Sequence, residues 1–179
     1  MRIISGNLKG ILITPPKGLP VRPTTDRAKE SLFNIIENNF NIDELVVLDL
    51  FSGTGNISYE FASRGAQKIT AVDLSFKCVE FIKSMKQKHT LNNLDVLKKD
   101  AFTFLKSALT KFDIIFTDAP YAHREINQIP KLVAERKLLH DNGWLIVEHE
   151  NTLDLDNEPN FTHKRVYGQS CFSFFSAGV

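Results

Sequence analysis

Five short apolar runs alternating with stretches of helical periodicity constrain this chain more than any other feature. The runs are Leu45–Leu50, Lys68–Val72, Leu94–Leu97, Phe112–Thr117 and Trp144–Glu148. Each is the length of one strand, and its apolar residues are interrupted by no more than one polar residue inside the run rather than alternating throughout. That pattern suits a strand buried on both faces of a parallel sheet. Between them lie helical patterns: Asn56–Arg64 with Ile57 and Phe61 inward, Ser75–His89 with Cys78, Ile82, Met85 and His89 on one face, Ala101–Leu109, and a segment around 124–138. A helix from about 26 to 39 precedes them, capped by Thr24, Thr25 or Asp26. Strand–helix alternation requires right-handed crossovers and helices on both faces. Two β-type runs close the chain, Phe161–Tyr167 and Cys171–Phe175, joined by Gly168-Gln169-Ser170 as an antiparallel hairpin. At the start, Arg2-Ile3-Ile4 and Ile11–Thr14 read as a β-hairpin with Gly6 and Gly10 bracketing its turn. The expected architecture is α/β: a seven-stranded, mostly parallel sheet with a C-terminal antiparallel hairpin and an N-terminal hairpin extension. The extension is expected over 1–21, and one globular domain over 22–179.

Composition narrows the setting. A chain of 179 residues, 42% apolar and 24% charged, builds its core without disulfides or metals. Its uninterrupted apolar runs reach four residues, against the roughly 20 needed to span a membrane. The opening residues carry no apolar stretch of a secretory leader. Cys78 and Cys171 lack disulfide or metal-ligand spacing, so a reducing cytoplasm is expected, with no metal and no membrane. Net charge is +1, but residues 1–40 hold Arg2, Lys9, Lys17, Arg22, Arg27 and Lys29 against Asp26, Glu30 and Glu37. Such a basic front end suits phosphate docking, or simply a solvated terminal segment.

In a sheet of this kind, ligands bind beyond the carboxyl ends of the strands. The first strand runs into Asp49-Leu50-Phe51-Ser52-Gly53-Thr54-Gly55-Asn56-Ile57-Ser58. Gly53 and Gly55 permit a tight turn and close backbone approach to a ligand. Ser58 stands where a dinucleotide fingerprint has Gly or Ala. Asp49 beside the turn would repel a pyrophosphate and attract an amino group or a sulfonium. This favours S-adenosylmethionine over a nicotinamide dinucleotide, for whose hydride chemistry no proton relay is evident. Asp73 ends the second strand and can accept both ribose hydroxyls. Asp100, after the third strand, can accept from an adenine amino group with Phe102 packed nearby. All three acids have a structural alternative as caps of turns and helices.

The fourth strand ends in Asp118-Ala119-Pro120-Tyr121. A carboxylate, a carbonyl held next to proline and an aromatic ring suit an exocyclic amino group on a flat base. The Asp118 carboxylate and the Ala119 carbonyl can accept its two protons, and Tyr121 can stack on the extruded base.

These motifs, together with Arg2-Ile3-Ile4-Ser5-Gly6, Lys9-Gly10, Arg22-Pro23-Thr24-Thr25-Asp26-Arg27, Glu30-Ser31-Leu32-Phe33-Asn34, Arg64-Gly65-Ala66 and Tyr167-Gly168, closely resemble the RsmD family over nearly the whole chain. These are bacterial 16S ribosomal RNA guanine-N2 methyltransferases with a Rossmann-like fold. The resemblance implies S-adenosylmethionine as cofactor and 16S rRNA as partner, within an assembling small ribosomal subunit. It implies that Asp49, Phe51, Ser52, Gly53 and Gly55 line the methionine end, that Asp73 and Leu74 meet the ribose side, and that Asp100, Ala101 and Phe102 border adenine. Arg22 and Thr24 would pack against the cofactor site; Arg2, Lys9, Lys17 and Arg27 would face RNA. The family pattern is Asp-Pro-Pro-Tyr. Here the first proline is Ala119, which keeps the carbonyl but loses the fixed φ. Alternatives are methylation of adenine N6 in DNA or RNA, and a weakly catalytic RNA-binding assembly factor.

Overall fold

The computed structural model describes residues 1–19, 24–120, 125–168 and 170–177. Tyr121 and Arg22, both expected at the site, lie outside the described residues. Seven strands form one sheet in the order β3-β2-β1-β4-β5-β7-β6. They are β1 (Val46–Leu50), β2 (Lys68–Asp73), β3 (Leu94–Lys98), β4 (Phe112–Thr117), β5 (Leu139–Glu150), β6 (Phe161–Tyr167) and β7 (Ser170–Ser176). Strands β1 to β5 are mutually parallel, and β7 inserts antiparallel between β5 and β6. The chain builds outward from β1 to β3, then returns to the other side of β1 to lay down β4. The crevice between β1 and β4 is therefore the switch point where a ligand is expected.

Five helices, α1 (Asp26–Glu37), α2 (Asn56–Ser63), α3 (Phe76–Lys88), α4 (Ala101–Ser107) and α5 (Gln128–Glu135), cover the sheet. Thr25 caps α1, its side chain accepting from the Ala28 N–H at 3.2 Å. Two apolar cores lie on opposite faces of the sheet. One gathers Leu32, Phe33 and Ile36 of α1, Phe61 of α2 and Phe172 and Phe174 of β7. The other gathers Leu48 and Leu50 of β1, Leu105 of α4 and Ile129 of α5.

Two expectations need correction. The last helix is shorter than 124–138, spanning Gln128–Glu135, because Lys137 takes a left-handed φ of 51° that ends it. Strand β5 begins at Leu139 rather than Trp144, its register with β4 shifting between Phe112 and Ile114. The N-terminal hairpin forms: the N–H groups of Ile13, Ile3 and Gly10 donate to the carbonyls of Met1, Ile11 and Ile3 at 2.9, 3.0 and 2.8 Å, around an antiparallel bridge from Arg2 to Leu12. Its turn docks on α2: the N–H groups of Ile4 and Ser5 donate to the Glu60 carboxylate at 2.9 and 3.0 Å, and that of Leu8 to Ser63 Oγ at 2.9 Å. Gly6 makes this docking possible, since a Cβ there would lie 1.9 Å from the Ser63 carbonyl oxygen.

Burial in α2 exceeds the expected Ile57 and Phe61 face, for all eight of its residues are buried. Among them Glu60 pairs with Lys29 at 3.2 Å and with Arg64 at 2.9 Å. Lys29, with 0% of its surface exposed, also donates to the Arg2 carbonyl at 2.7 Å and to Asn56 Oδ1 at 2.8 Å. Burial pulls the Lys29 ammonium below its ordinary range, and Glu60 opposes the shift. Lys29 is thus interior and does not contribute to the basic front end.

Candidate active site

Parallel register places the functional side chains at one level. Leu50 is opposite Val72 of β2 and Thr117 of β4, and Thr117 is opposite Val147 of β5. The next residue on each strand is therefore Phe51, Asp73, Asp118 and Glu148. Phe51 and Asp118 begin the loops at the carboxyl edge, Asp73 ends β2, and Glu148 lies within β5. Between them opens a cavity of about 820 Å³, within the range of small-molecule sites.

The glycine turn forms its floor. Phe51 and Gly53 have φ of 54° and 53°, and Gly55 has 82°. A Cβ on Gly55 would meet the Tyr59 ring at 2.8 Å, so the turn sits directly on α2. Asp49 is 2% exposed at the cavity wall, and its Oδ2 accepts from both the N–H (3.1 Å) and the hydroxyl of Ser58. Ser58, the mismatch to a dinucleotide fingerprint, is the residue that fixes this carboxylate. Burial pushes the Asp49 carboxyl up to about 7; the two Ser58 bonds oppose the shift and Asp73 adds to it. Asp73 accepts from the Gly53 N–H on Oδ2 at 2.8 Å and from the Ser75 N–H on Oδ1 at 2.7 Å. These bonds fix the carboxylate plane, and each oxygen keeps a second lone pair for a vicinal hydroxyl.

Asp100 both caps α4, accepting from the Thr103 N–H at 2.8 Å, and lines the cavity. Thr24, Phe51, Ser52, Leu74, Ala101, Asp118, Ala119 and Pro120 share that lining. Two expected residues stand outside it. Gly55 supports the turn from below as the N-cap of α2. Phe102 packs edge-on against Phe51, centroids 6.2 Å apart, and so buttresses a wall residue. Of the residues expected to face RNA, Arg2, Lys9, Lys17 and Arg27 are all exposed, though Arg2 pairs with Asp26 at 3.3 Å.

Sequence reasoning missed a buried polar chain behind the cavity. Thr24 Oγ1 donates to Glu148 Oε2 at 2.7 Å. Asn56 Nδ2 donates to the Thr24 carbonyl at 3.3 Å, and Asn56 accepts from Lys29. A signal was present: Lys29 lies at helical spacing with Leu32, Phe33 and Ile36, and Glu60 lies with Ile57 and Phe61. Charges embedded in apolar stripes mark interior pairs.

S-adenosylmethionine fits these residues. Asp49 offers buried negative charge to a cationic ligand, Asp73 a fixed pair of acceptors, and Ser52 Oγ is a buried hydroxyl with no hydrogen-bond partner among the described residues. The switch-point cavity and its acids on this sheet define the class: a Rossmann-like, S-adenosylmethionine-dependent methyltransferase.

Comparison with known proteins is specific. A family model described as Conserved hypothetical protein 95 matches residues 1–176. The ribosomal RNA small subunit methyltransferase D of Buchnera aphidicola (subspecies Baizongia pistaciae) is 34% identical over 161 residues, covering 89% of this chain and 82% of that protein. The protein of the same name from Escherichia coli is 28% identical over 182 residues, covering 98% and 89%. A solved Escherichia coli structure with a provisional methyltransferase description superposes with a TM-score of 0.85 at 26% identity, covering 98% of this chain and 97% of that one. The chain belongs to this family, the RsmD family of ribosomal RNA methyltransferases.

Proposed function

We propose that this protein transfers a methyl group from S-adenosylmethionine to the exocyclic N2 of a guanine in 16S rRNA, on an assembling small subunit in the cytoplasm. The observation that carries the reading is that Asp118, Ala119 and Pro120 share one cavity with Asp49, Asp73 and Asp100 across the β1–β4 switch point. Donor-side acids and an amino-group acceptor pair are thus adjacent.

An aryl amine is a weak nucleophile because its lone pair is delocalised into the ring. The Asp118 carboxylate and the Ala119 carbonyl would accept its two N–H groups and favour the pyramidal geometry of attack. The amine nitrogen gains the new bond to carbon, the donor's sulfur–carbon bond breaks, and the surplus N–H proton departs through Asp118. The remaining contribution is in-line positioning of nitrogen, methyl and sulfur. Asp49 would sit at the methionine end and Asp73 on the ribose. The family resemblance and the relatives' names support the ribosomal substrate, and the Asp-x-Pro motif supports an amino acceptor.

The test is methyl transfer from labelled donor to small-subunit rRNA, followed by nucleoside mass spectrometry. N2-methylguanosine is the expected product. Asp118→Asn should reduce turnover at least about 100-fold, the scale of losing one transition-state acceptor, with donor affinity unchanged. N6-methyladenosine as product, or an Asp118→Asn variant of normal turnover, would overturn the reading.

A further inference from the structure

The cavity mouth has a second feature that the methyl-transfer reading does not use. Lys98 is the register partner of Asp73, so it stands at the level of the site on the edge strand β3. Beside it Phe76 opens α3 with 61% of its surface exposed. Lys98 Nζ stands 5.6 Å from the centre of the Phe76 ring. The next lysine repeats the arrangement, with Lys99 Nζ 5.7 Å from the Phe104 ring. Lys77, adjoining Phe76, is exposed as well. Among the described residues, no ion pair engages Lys77, Lys98 or Lys99. Other lysines on β2, β3 and α3 are engaged, Lys68 and Lys86 with Asp95 and Lys83 with Glu80, while Lys88 at the far end of α3 is in no ion pair.

A phenylalanine held in solvent forgoes the stabilisation of burial, and an exposed lysine over a ring recovers only part of it. The arrangement gains its purpose with a ligand that presents a flat face and negative charge together. Single-stranded RNA does so: a base stacks on the ring while phosphates meet the ammonium groups. The acidic side of a protein would satisfy the lysines and leave the ring without a partner. The location agrees: α3 opens from the end of β2, two strand spacings or roughly 10 Å from the β4 end that carries Asp118, and Lys98 on β3 stands one spacing further out, at roughly 14 Å.

We propose that Phe76, Lys77 and Lys98 form a docking surface for single-stranded RNA flanking the target nucleotide, at the opposite side of the cavity mouth from the N-terminal segment. This rests on the RNA methyltransferase reading. The experiment measures binding of the full chain to protein-free 16S rRNA and to small subunits at several salt concentrations. Donor affinity, melting temperature and methyl transfer are followed in parallel. Phe76→Ala should weaken RNA binding about 5- to 100-fold, the cost of losing one stacked base, and Phe76→Trp should retain it. Lys98→Ala should lower the slope of log affinity against log salt by about 0.7. Donor affinity should stay within about twofold in each variant. If wild-type protein methylates rRNA but Phe76→Ala and Lys98→Ala bind it as tightly as wild type, the surface is refuted and the methyl-transfer reading stands. If wild type transfers no methyl to rRNA, the underlying reading fails. A loss of donor affinity in Phe76→Ala would assign the ring to the cofactor pocket. A loss on assembled subunits but not on protein-free RNA would assign the surface to a ribosomal protein. Either result overturns the proposal.

Discussion

Asp49→Asn separates the charge of the cavity floor from its shape. The wild-type carboxyl is pushed from 3.8 up to about 7, chiefly by burial. Its folded pKa is raised, so the folded protein retains a proton that the unfolded chain loses. Stability from this group is complete below pH 3.8, declines as pH rises through the window to about 7, and is level above it. Each pH unit inside the window is worth about 1.4 kcal/mol, so the whole window costs about 4 kcal/mol at most. The stretch from pH 5 upward accounts for about 2–3 kcal/mol. That is a large share of a typical total of roughly 5–15 kcal/mol. Asparagine keeps an oxygen acceptor for the Ser58 N–H and hydroxyl and removes the titration. Urea unfolding at pH 5 and pH 8, without ligand, should show the variant gaining about 2–3 kcal/mol on wild type between the two. A gap that moves by less than about 0.5 kcal/mol, within ordinary measurement differences, would refute the reasoning. A cationic donor should also draw Asp49 into its ionised form. Calorimetry near pH 6.5 in two buffers of different ionisation enthalpy should register proton release on S-adenosylmethionine binding, and less on binding of the uncharged-sulfur product.

Three further outcomes follow from the same geometry. Glu60→Gln leaves the Lys29 ammonium buried beside a neutral partner and should cost about 3–5 kcal/mol, with protease cutting early within residues 1–14; an unchanged urea midpoint would refute the interior pairing. Thr117 Oγ1 is buried without a hydrogen-bond partner among the described residues, so Thr117→Val should raise stability by about 1 kcal/mol, and a loss of that size would contradict it. Ala119→Pro restores the fixed φ of the family pattern and should leave turnover unchanged or modestly higher; a large fall in kcat would show that the loop depends on alanine here.

The strands were legible because a parallel strand buried on both faces has to be a run of apolar residues, as in Leu45–Leu50 and Phe112–Thr117. The acids that line the cavity were legible because the strand–helix alternation places Asp49, Asp73 and Asp100 at one sheet edge. What failed depended on partners far along the chain. The N-terminal hairpin was legible from its apolar runs and glycines, but its docking was not: the Ile4 and Ser5 N–H groups bond to Glu60, more than 50 residues away, and local pattern carries no trace of that contact. Strand β5 extends back to Leu139 through His140, Asp141 and Asn142, a polar stretch that reads as a turn. Phe102 was placed at the adenine because it follows Asp100, whereas the helical rise of α4 turns it behind Phe51.

The charge argument changes most once the interior is known. Counting Lys29 made the first 40 residues appear to be the one basic face of a nearly neutral protein. With Lys29 neutralised by Glu60, that excess falls from +3 to +2, and the Arg2–Asp26 pair, both of whose charges lie inside the span, leaves it unchanged. Among the described residues, positive charge outside ion pairs includes Lys9, Lys17 and Arg27 on one flank and Lys77, Lys98 and Lys99 on the other, with Lys88, Lys106, Lys111, Arg136, Lys137 and Arg165 elsewhere. The cavity and its acids lie between the two flanks. A polyanion attracted to both would be drawn across the mouth, while the acids at the centre discourage a phosphate from entering and leave room for a base. A net charge of +1 is then compatible with RNA binding, because the placement of a few ammonium groups around an acidic centre decides where the strand lies.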